Sequence, residues 1–353
     1  MDKQTLLAHV GSMQQLAYVR PVTYREGRAG SLNAYQVKNG DLTFLALADK
    51  CLDVGELTYK GLCLNFLSKP GLTGRAHYDT HGQEAQRSIM GGLFFTAGLE
   101  NICAPCAVGG REYPMHGRLR TTPAEHCCAD ARWEGEDYVL SVSGEMREAE
   151  LFGENLTLRR TLTTRLGSRT ICIRDELENE GFRPETALLL YHFNFGYPLV
   201  EAGTRLLLPT RGVTPRDETS RPQVEGWSHM DPPRPGEPEY VFFHDLCADE
   251  QGRTCAVVFN HRLGLGVALD FDQKALPWFM EWKSTAAGDY VLGLEPANAS
   301  AHGRLWQAEH GGLPTLAPGE RKTVELSVTV LDGAETLEGY TRRIKTLTSG
   351  KEE

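Results

Sequence analysis

Along residues 323–330, Val324, Leu326, Val328 and Val330 alternate with Thr323, Glu325, Ser327 and Thr329. A period of two sends the apolar side chains to one face of a strand and the polar ones to the other. The same reading predicts a hairpin from 155–164 and 170–177 around Gly167-Ser168, and a turn at Gly181-Phe182-Arg183-Pro184 leading into a strand over 186–195. A further hairpin joins 278–283 to 290–294 through Ala286-Ala287-Gly288-Asp289. Helical spacing is confined to the ends. Leu6, Leu7, Val10 and Met13 repeat at three to four residues near the start, and Leu337, Tyr340 and Ile344 near the finish, after Asp332 as N-cap.

Pro- and Gly-rich stretches at 69–74 and 231–238 read as surface loops, and no linker or short-period repeat divides the chain. Many strands without alternating helices predict an all-β fold of mostly antiparallel strands, two large sheets packed face to face. The expected organisation is one domain over 1–353, with its core at 20–332 and terminal helices at 3–17 and 333–347.

Composition narrows the partners. The 353 residues are 41% hydrophobic and 24% charged, enough for a sizeable core, and the net charge is −10. With basic residues scattered, an acidic surface makes nucleic acid a poor partner. No run approaches the eighteen apolar residues of a membrane span, and the first twenty residues have no signal-like apolar stretch. No membrane partner is expected. The nine cysteines, an odd number, argue for reduced thiols and a cytoplasmic location, which makes the sequons at Asn155 and Asn298 chance matches. A homodimer is the assembly allowed for.

Three segments could carry chemistry. On the strand Leu188–Gly196, alternation puts His192 and Asn194 on one face and Tyr191, Phe193 and Phe195 on the other. A His and an Asn side by side could exchange hydrogen bonds with a ligand; a core histidine satisfied by a backbone carbonyl fits the spacing as well. Glu295 ends an apolar strand, where desolvation would raise its pKa and suit it to general-base work; a solvated strand-end Glu fits too. Met115-His116-Gly117-Arg118-Leu119-Arg120, after Gly91-Gly92, suits close approach of a polyhydroxy or anionic ligand, or only marks a turn. Cys103-Ala104-Pro105-Cys106, with His126-Cys127-Cys128 downstream, has the spacing of a redox or zinc motif in a context without βαβ signals. Trp227 and Trp282 are candidate sugar-stacking platforms or core residues. Lys283 and Arg87 are candidate ligand contacts or surface charges. His229 and His244 flank the 231–238 loop without an assigned role.

Taken in order, these segments resemble the aldose 1-epimerase (galactose mutarotase-like) superfamily. Gly91-Gly92 followed by His116-Gly117, the Tyr191-His192-Phe193-Asn194 strand, Gly293-Leu294-Glu295-Pro296 and Leu316-Ala317-Pro318-Gly319-Glu320 are similar to its ordered motifs over residues 40–330. The family's galactose mutarotases show Asn-His-x-Tyr-Phe-Asn-Leu where this chain has Leu190-Tyr191-His192-Phe193-Asn194-Phe195, which marks a divergent branch. The resemblance implies a galactose mutarotase-like β-super-sandwich and an isomerase that interconverts sugar anomers by ring opening. It implies Glu295 as base and His192 as acid, with His116, Asn194, Arg118, Arg87, Trp282 and Lys283 binding a monosaccharide or sugar derivative. No metal or organic cofactor is called for, since both steps are proton transfers. A non-catalytic carbohydrate-binding or sensing protein, or a sugar-phosphate epimerase drawing on Arg118, Arg120 and Arg87, is the alternative.

Overall fold

A computed structural model describes residues 2–74 and 82–350 of the chain. Its strands gather into an eight-stranded, a six-stranded and a five-stranded sheet with three two-stranded ribbons, and every pairing between these strands is antiparallel. The all-β expectation holds. The eight-stranded sheet carries the 155–165 and 170–179 hairpin and the amphipathic strand Arg321–Asp332 beside it. The six-stranded sheet runs in the order Thr210–Pro215, Glu239–Leu246, Trp278–Ala286, Asp289–Ala297, Leu188–Phe195, Phe94–Leu99.

The six-stranded sheet is covered on both faces. Tyr191, Phe193 and Phe195 enter the main core with Phe44, Leu140, Leu162 and Leu326, so this core joins all three large sheets. Leu188, Leu190, Phe95, Met280 and Ala297 form a second cluster on the opposite face. Burial on both faces is why residues 188–195 read as an almost unbroken apolar run rather than an alternating one. Within that run, His192 and Asn194 are polar positions on a buried surface, and each is less than a tenth exposed.

The ends differ from expectation in detail. The first helix spans only Lys3–His9, capped by Asp2 Oδ1 accepting from Thr5 N at 2.8 Å, and none of its residues is buried. With no core beneath it, the periodicity through Met13 is not enough to extend the helix, and Ser12 starts a separate 3-10 turn. The last helix, Ala334–Ser349, packs Ile344 and Leu347 against Val257, Phe259 and Leu331. Its N-cap is Gly333, not Asp332. Asp332 still belongs to its strand, where it accepts from Tyr59 Oη at 2.9 Å and Lys60 Nζ at 2.7 Å. A short helix at Arg304–Glu309 went unforeseen.

Candidate active site

The register of the six-stranded sheet builds the site. Phe193 opposes Leu294, so the preceding His192 and the following Glu295 fall on the same face of adjacent strands. On the other side His192 opposes Phe95 directly, and Met280 opposes Glu295. His192 Nε2 lies 3.2 Å from Glu295 Oε1, with the two side chains 9% and 6% exposed. An acid and a base that meet opposite ends of a hemiacetal would face each other across a gap the size of a sugar ring, and no such gap separates these two. The two groups instead share one side of a cleft. This arrangement still serves a hemiacetal, because its ring oxygen and anomeric hydroxyl are bonded to the same carbon and can both be met from one side.

Rings fix the imidazole. Phe95 stacks on His192 with centroids 4.5 Å apart and planes at 22°, while Trp282 and His116 meet it edge-on at 5.4 Å and 5.5 Å. His116 reaches this position from a loop, through Gly117. That glycine has φ +68°, and a Cβ on it would sit 2.0 Å from the Gly98 carbonyl oxygen, so no other residue fits. The His-Gly pairing read in the sequence is therefore a close approach of two backbones that turns His116 toward His192. Buried Nδ1 atoms of His116 and His192 have no hydrogen-bond partner among the described residues. Buried polar atoms without a partner are uncommon in folded proteins.

Burial also sets the protonation. Glu295 is pushed up to about 8, chiefly by desolvation, with Arg216 pulling it down and Glu239 pushing it further up. Burial pushes His192 down to about 3. His116 is held well below the usual imidazole range by burial, then by His192 and Arg120. Near neutral pH the pair is thus a neutral imidazole beside a neutral carboxyl, holding one transferable proton between them.

The cleft in front of the pair has a volume of about 620 Å³ and is lined by Phe95, His116, His192, Asn194, Arg216, Glu239, Trp282 and Glu295, among others. Asn194 Nδ2 donates to the His192 carbonyl at 2.7 Å, and Trp282 Nε1 donates to Glu239 Oε2 at 2.8 Å. Arg216 donates to Asp217 at 2.9 Å, with Glu239 a longer ionic neighbour at 3.6 Å. At the rim Lys69 pairs with Asp289 at 2.5 Å. Of the eight residues that the resemblance implies for the site, the structure brings together His192, Glu295, His116, Asn194 and Trp282.

It does not bring in the other three. Lys283 follows Trp282 on the same strand and therefore points to the opposite face, where its buried ammonium donates to the carbonyls of Gly226 and His229 at 2.7 Å and 3.0 Å. Arg118 is turned to Glu100 and Arg87 to Glu84, and neither lines the cleft. Arg120, behind the site, is buried with Nη1 3.3 Å from Ser88 Oγ. Trp227 lies against the main core, edge-on to His244 at 4.9 Å. The buried His244 Nε2 lies 3.1 Å from Glu281 Oε2, a second His–Glu pair away from the cleft. All nine cysteines are free thiols, and Cys103 lines the cleft.

Phe95, Arg216 and Glu239 were missed. Phe95 lay in an apolar run whose register with His192 only the sheet reveals. Arg216 follows the strand Thr210–Pro215 and Glu239 opens the strand Glu239–Leu246, 22 positions after Asn194 and 43 before Trp282 respectively, and both are ordinary charged residues with no local signal.

Comparison places this geometry. The family described as "Domain of unknown function (DUF4432)" matches residues 29–330. No curated protein matches. A Klebsiella pneumoniae subsp. pneumoniae structure that bears the provisional description aldose 1-epimerase is 22% identical with a TM-score of 0.89, over 94% of this chain and 88% of that one. A galactose mutarotase-like protein from Clostridium acetobutylicum is 13% identical with a TM-score of 0.60, over 90% and 99%. Galactose 1-epimerase from Lactobacillus acidophilus NCFM is 12% identical with a TM-score of 0.59, over 90% and 100%. At these identities the likeness is one of fold: the chain has the galactose mutarotase-like fold.

Proposed function

The chain belongs to the DUF4432 family, and from that premise we propose that it is a sugar-anomer isomerase of the aldose 1-epimerase type, acting through His192 and Glu295. The observation that carries this reading is the buried contact of 3.2 Å between them at the head of a cleft large enough for a monosaccharide. A second buried pair, His244 and Glu281, lies away from the cleft, so it is the position of His192 and Glu295 at the cleft that supports a role in proton transfer.

In the proposed reaction Glu295 takes the proton of the anomeric hydroxyl while His192 protonates the ring oxygen. The bond from the anomeric carbon to the ring oxygen breaks and a carbonyl forms. Rotation about the bond to the next carbon, followed by closure on the other face, gives the other anomer and returns both protons. Desolvation puts the resting proton on Glu295, so Glu295 becomes a base only when that proton passes to His192, and ring closure runs the same transfers in reverse. His116 and Asn194 offer hydrogen bonds to ring hydroxyls. Trp282 offers an apolar surface for the C–H side of a pyranose.

Arg118, Arg120 and Arg87, on which the sugar-phosphate alternative drew, lie outside the cleft lining, and the cations within it, Arg216 and Lys69, are each paired with an aspartate. Cytoplasmic placement remains part of the proposal; among the described residues no helix is long and apolar enough to cross a membrane. The test is anomer exchange in free monosaccharides, followed by saturation-transfer NMR. Acceleration above the spontaneous rate supports the reading, and binding without acceleration by any sugar makes this a binding protein.

A further inference from the structure

Among the described residues the largest fully buried side chain is a cation. Arg160, 0% exposed, leaves the eight-stranded sheet and reaches across the core. Its five N–H groups all have acceptors. Nε donates to Asp175 Oδ1 at 2.8 Å, Nη1 to Asp53 Oδ1 at 2.6 Å and the Cys51 carbonyl at 3.0 Å, and Nη2 to Asp175 Oδ2 at 2.5 Å and Thr96 Oγ1 at 2.9 Å. Tyr191 Oη donates to Asp175 Oδ2 at 2.7 Å. Asp53 in turn clasps Thr96, accepting from its backbone N at 3.0 Å and its Oγ1 at 2.7 Å.

Stability alone is a poor reason for such a network. The penalty for taking a guanidinium and two carboxylates out of water can exceed their mutual attraction, and apolar replacements of equal volume are often as stable. Its position suggests another reason. Thr96 and Tyr191 oppose each other across two neighbouring strands, and each is the residue next to a ring of the site. Phe95 precedes Thr96 and His192 follows Tyr191; those two also oppose each other, and their rings stack on the cleft face. The core face of the same two strands is thus tied, at the same register positions, to one cation shared by three sheets.

We propose that the Arg160–Asp53–Asp175 network is a positioning device: it locks the Phe95 and His192 strands against each other so that the His192 imidazole is held at Glu295. The proposal rests on the acid–base reading above. Arg160, Thr96 and Tyr191 touch no ligand; they act through His192. A hydrogen-bonded ion has directional demands that apolar packing lacks, so the network fixes register and ring placement where a greasy core would allow slippage. Misplacement of a reacting group by about 1 Å costs on the order of 100-fold in rate.

Tyr191→Phe tests this, because it removes one hydroxyl and keeps the ring that fills the core. In protein labelled with nitrogen-15 histidine, the His192 ring signals should shift or broaden relative to wild type. The kcat for anomer exchange should fall between about 10- and 100-fold with KM changed less than about twofold. Thr96→Val, which removes the hydroxyl beside Phe95, should do the same, and it decides the matter should Tyr191→Phe fail to fold. Folded variants with unchanged His192 signals and unchanged kcat overturn the proposal. Because the ring signals are read without turnover, a wild type that exchanges no sugar anomers defeats the proposed function while leaving the positioning role to be judged from the spectra.

Discussion

Trp282 and Lys283 are consecutive on one strand and serve opposite faces of it: the indole lies edge-on to His192 in the cleft, and the ammonium is buried against the carbonyls of Gly226 and His229. Their substitutions should therefore separate binding from folding. Trp282→Ala removes cleft surface and should raise KM for a bound sugar roughly tenfold with little change in thermal stability. Lys283→Met removes the ammonium donor to the His229 carbonyl and leaves the Gly226 carbonyl only its 3.4 Å bond from His229 N, and should lower stability by about 1–3 kcal/mol while KM stays as in wild type. Sugar titrations and thermal melts on both variants check this; a Lys283→Met protein of full stability and weakened binding would return Lys283 to the site.

The pair also predicts how stability depends on pH. Glu295 titrates near about 4.3 in an unfolded chain but is pushed up to about 8 by burial. Between those values the folded state holds a proton that the unfolded state has released, so stability is full below the lower value and falls as pH rises through the upper one. His192, pushed down to about 3, acts in the opposite sense, but only up to its unfolded value of about 6.5. Above neutral pH His192 no longer offsets the Glu295 effect, and Glu148 and Lys50, which burial also moves to about 8, contribute alike to wild type and variant and cancel in the comparison. Glu295→Gln removes the Glu295 effect, so the variant should gain on wild type between pH 7 and pH 9, by on the order of 1 kcal/mol or more. Urea titrations at both pH values measure the difference, and an equal gap at each would contradict the assignment.

Much of this was legible beforehand, for identifiable reasons. Strands such as 323–330 announce themselves because one face is wet, and hairpins such as 155–177 because a glycine turn joins two patterned runs. His192 and Glu295 stood out because a polar residue in an apolar strand is unusual. Pairing was not legible. That Phe95 lies beside His192, that Arg160 reaches Thr96, and that Arg216 and Glu239 line the cleft follow from contacts between strands far apart in sequence. Lys283 was misplaced for a local reason: the alternation that put Trp282 on the cleft face puts its neighbour on the other, a consequence of strand geometry that the sequence already contained.

Removing either member of the pair should abolish most of the acceleration of anomer exchange while the fold persists. Glu295→Gln and His192→Asn keep hydrogen-bonding capacity and approximate shape but not the ionisable group. Each should cost about 100-fold or more in rate, equivalent to roughly 3 kcal/mol of barrier. Sugar affinity should fall far less, since the remaining cleft is intact. Rates and affinities from the same NMR samples check this, and a variant that keeps wild-type rate removes its residue from the mechanism.

The shape of the pH–rate profile tests the protonation argument itself. The competent pair carries one transferable proton. When pH rises through the Glu295 value of about 8, that proton is lost and no acid remains, so the rate falls on the alkaline side. When pH falls toward the His192 value of about 3, a second proton arrives and no base remains, so the rate falls on the acid side. The profile should be a broad bell with its alkaline limb near pH 8 and its acid limb well below neutrality. The two limbs belong to the coupled pair rather than to either residue. A solvated His and Glu would titrate near about 6.5 and 4.3 and confine the competent form to a narrow acidic window. Measuring kcat/KM from pH 4 to pH 10, corrected for the spontaneous rate, distinguishes the two. An optimum near pH 5 with activity gone by pH 7 would mean that the pair is not desolvated as the cleft implies.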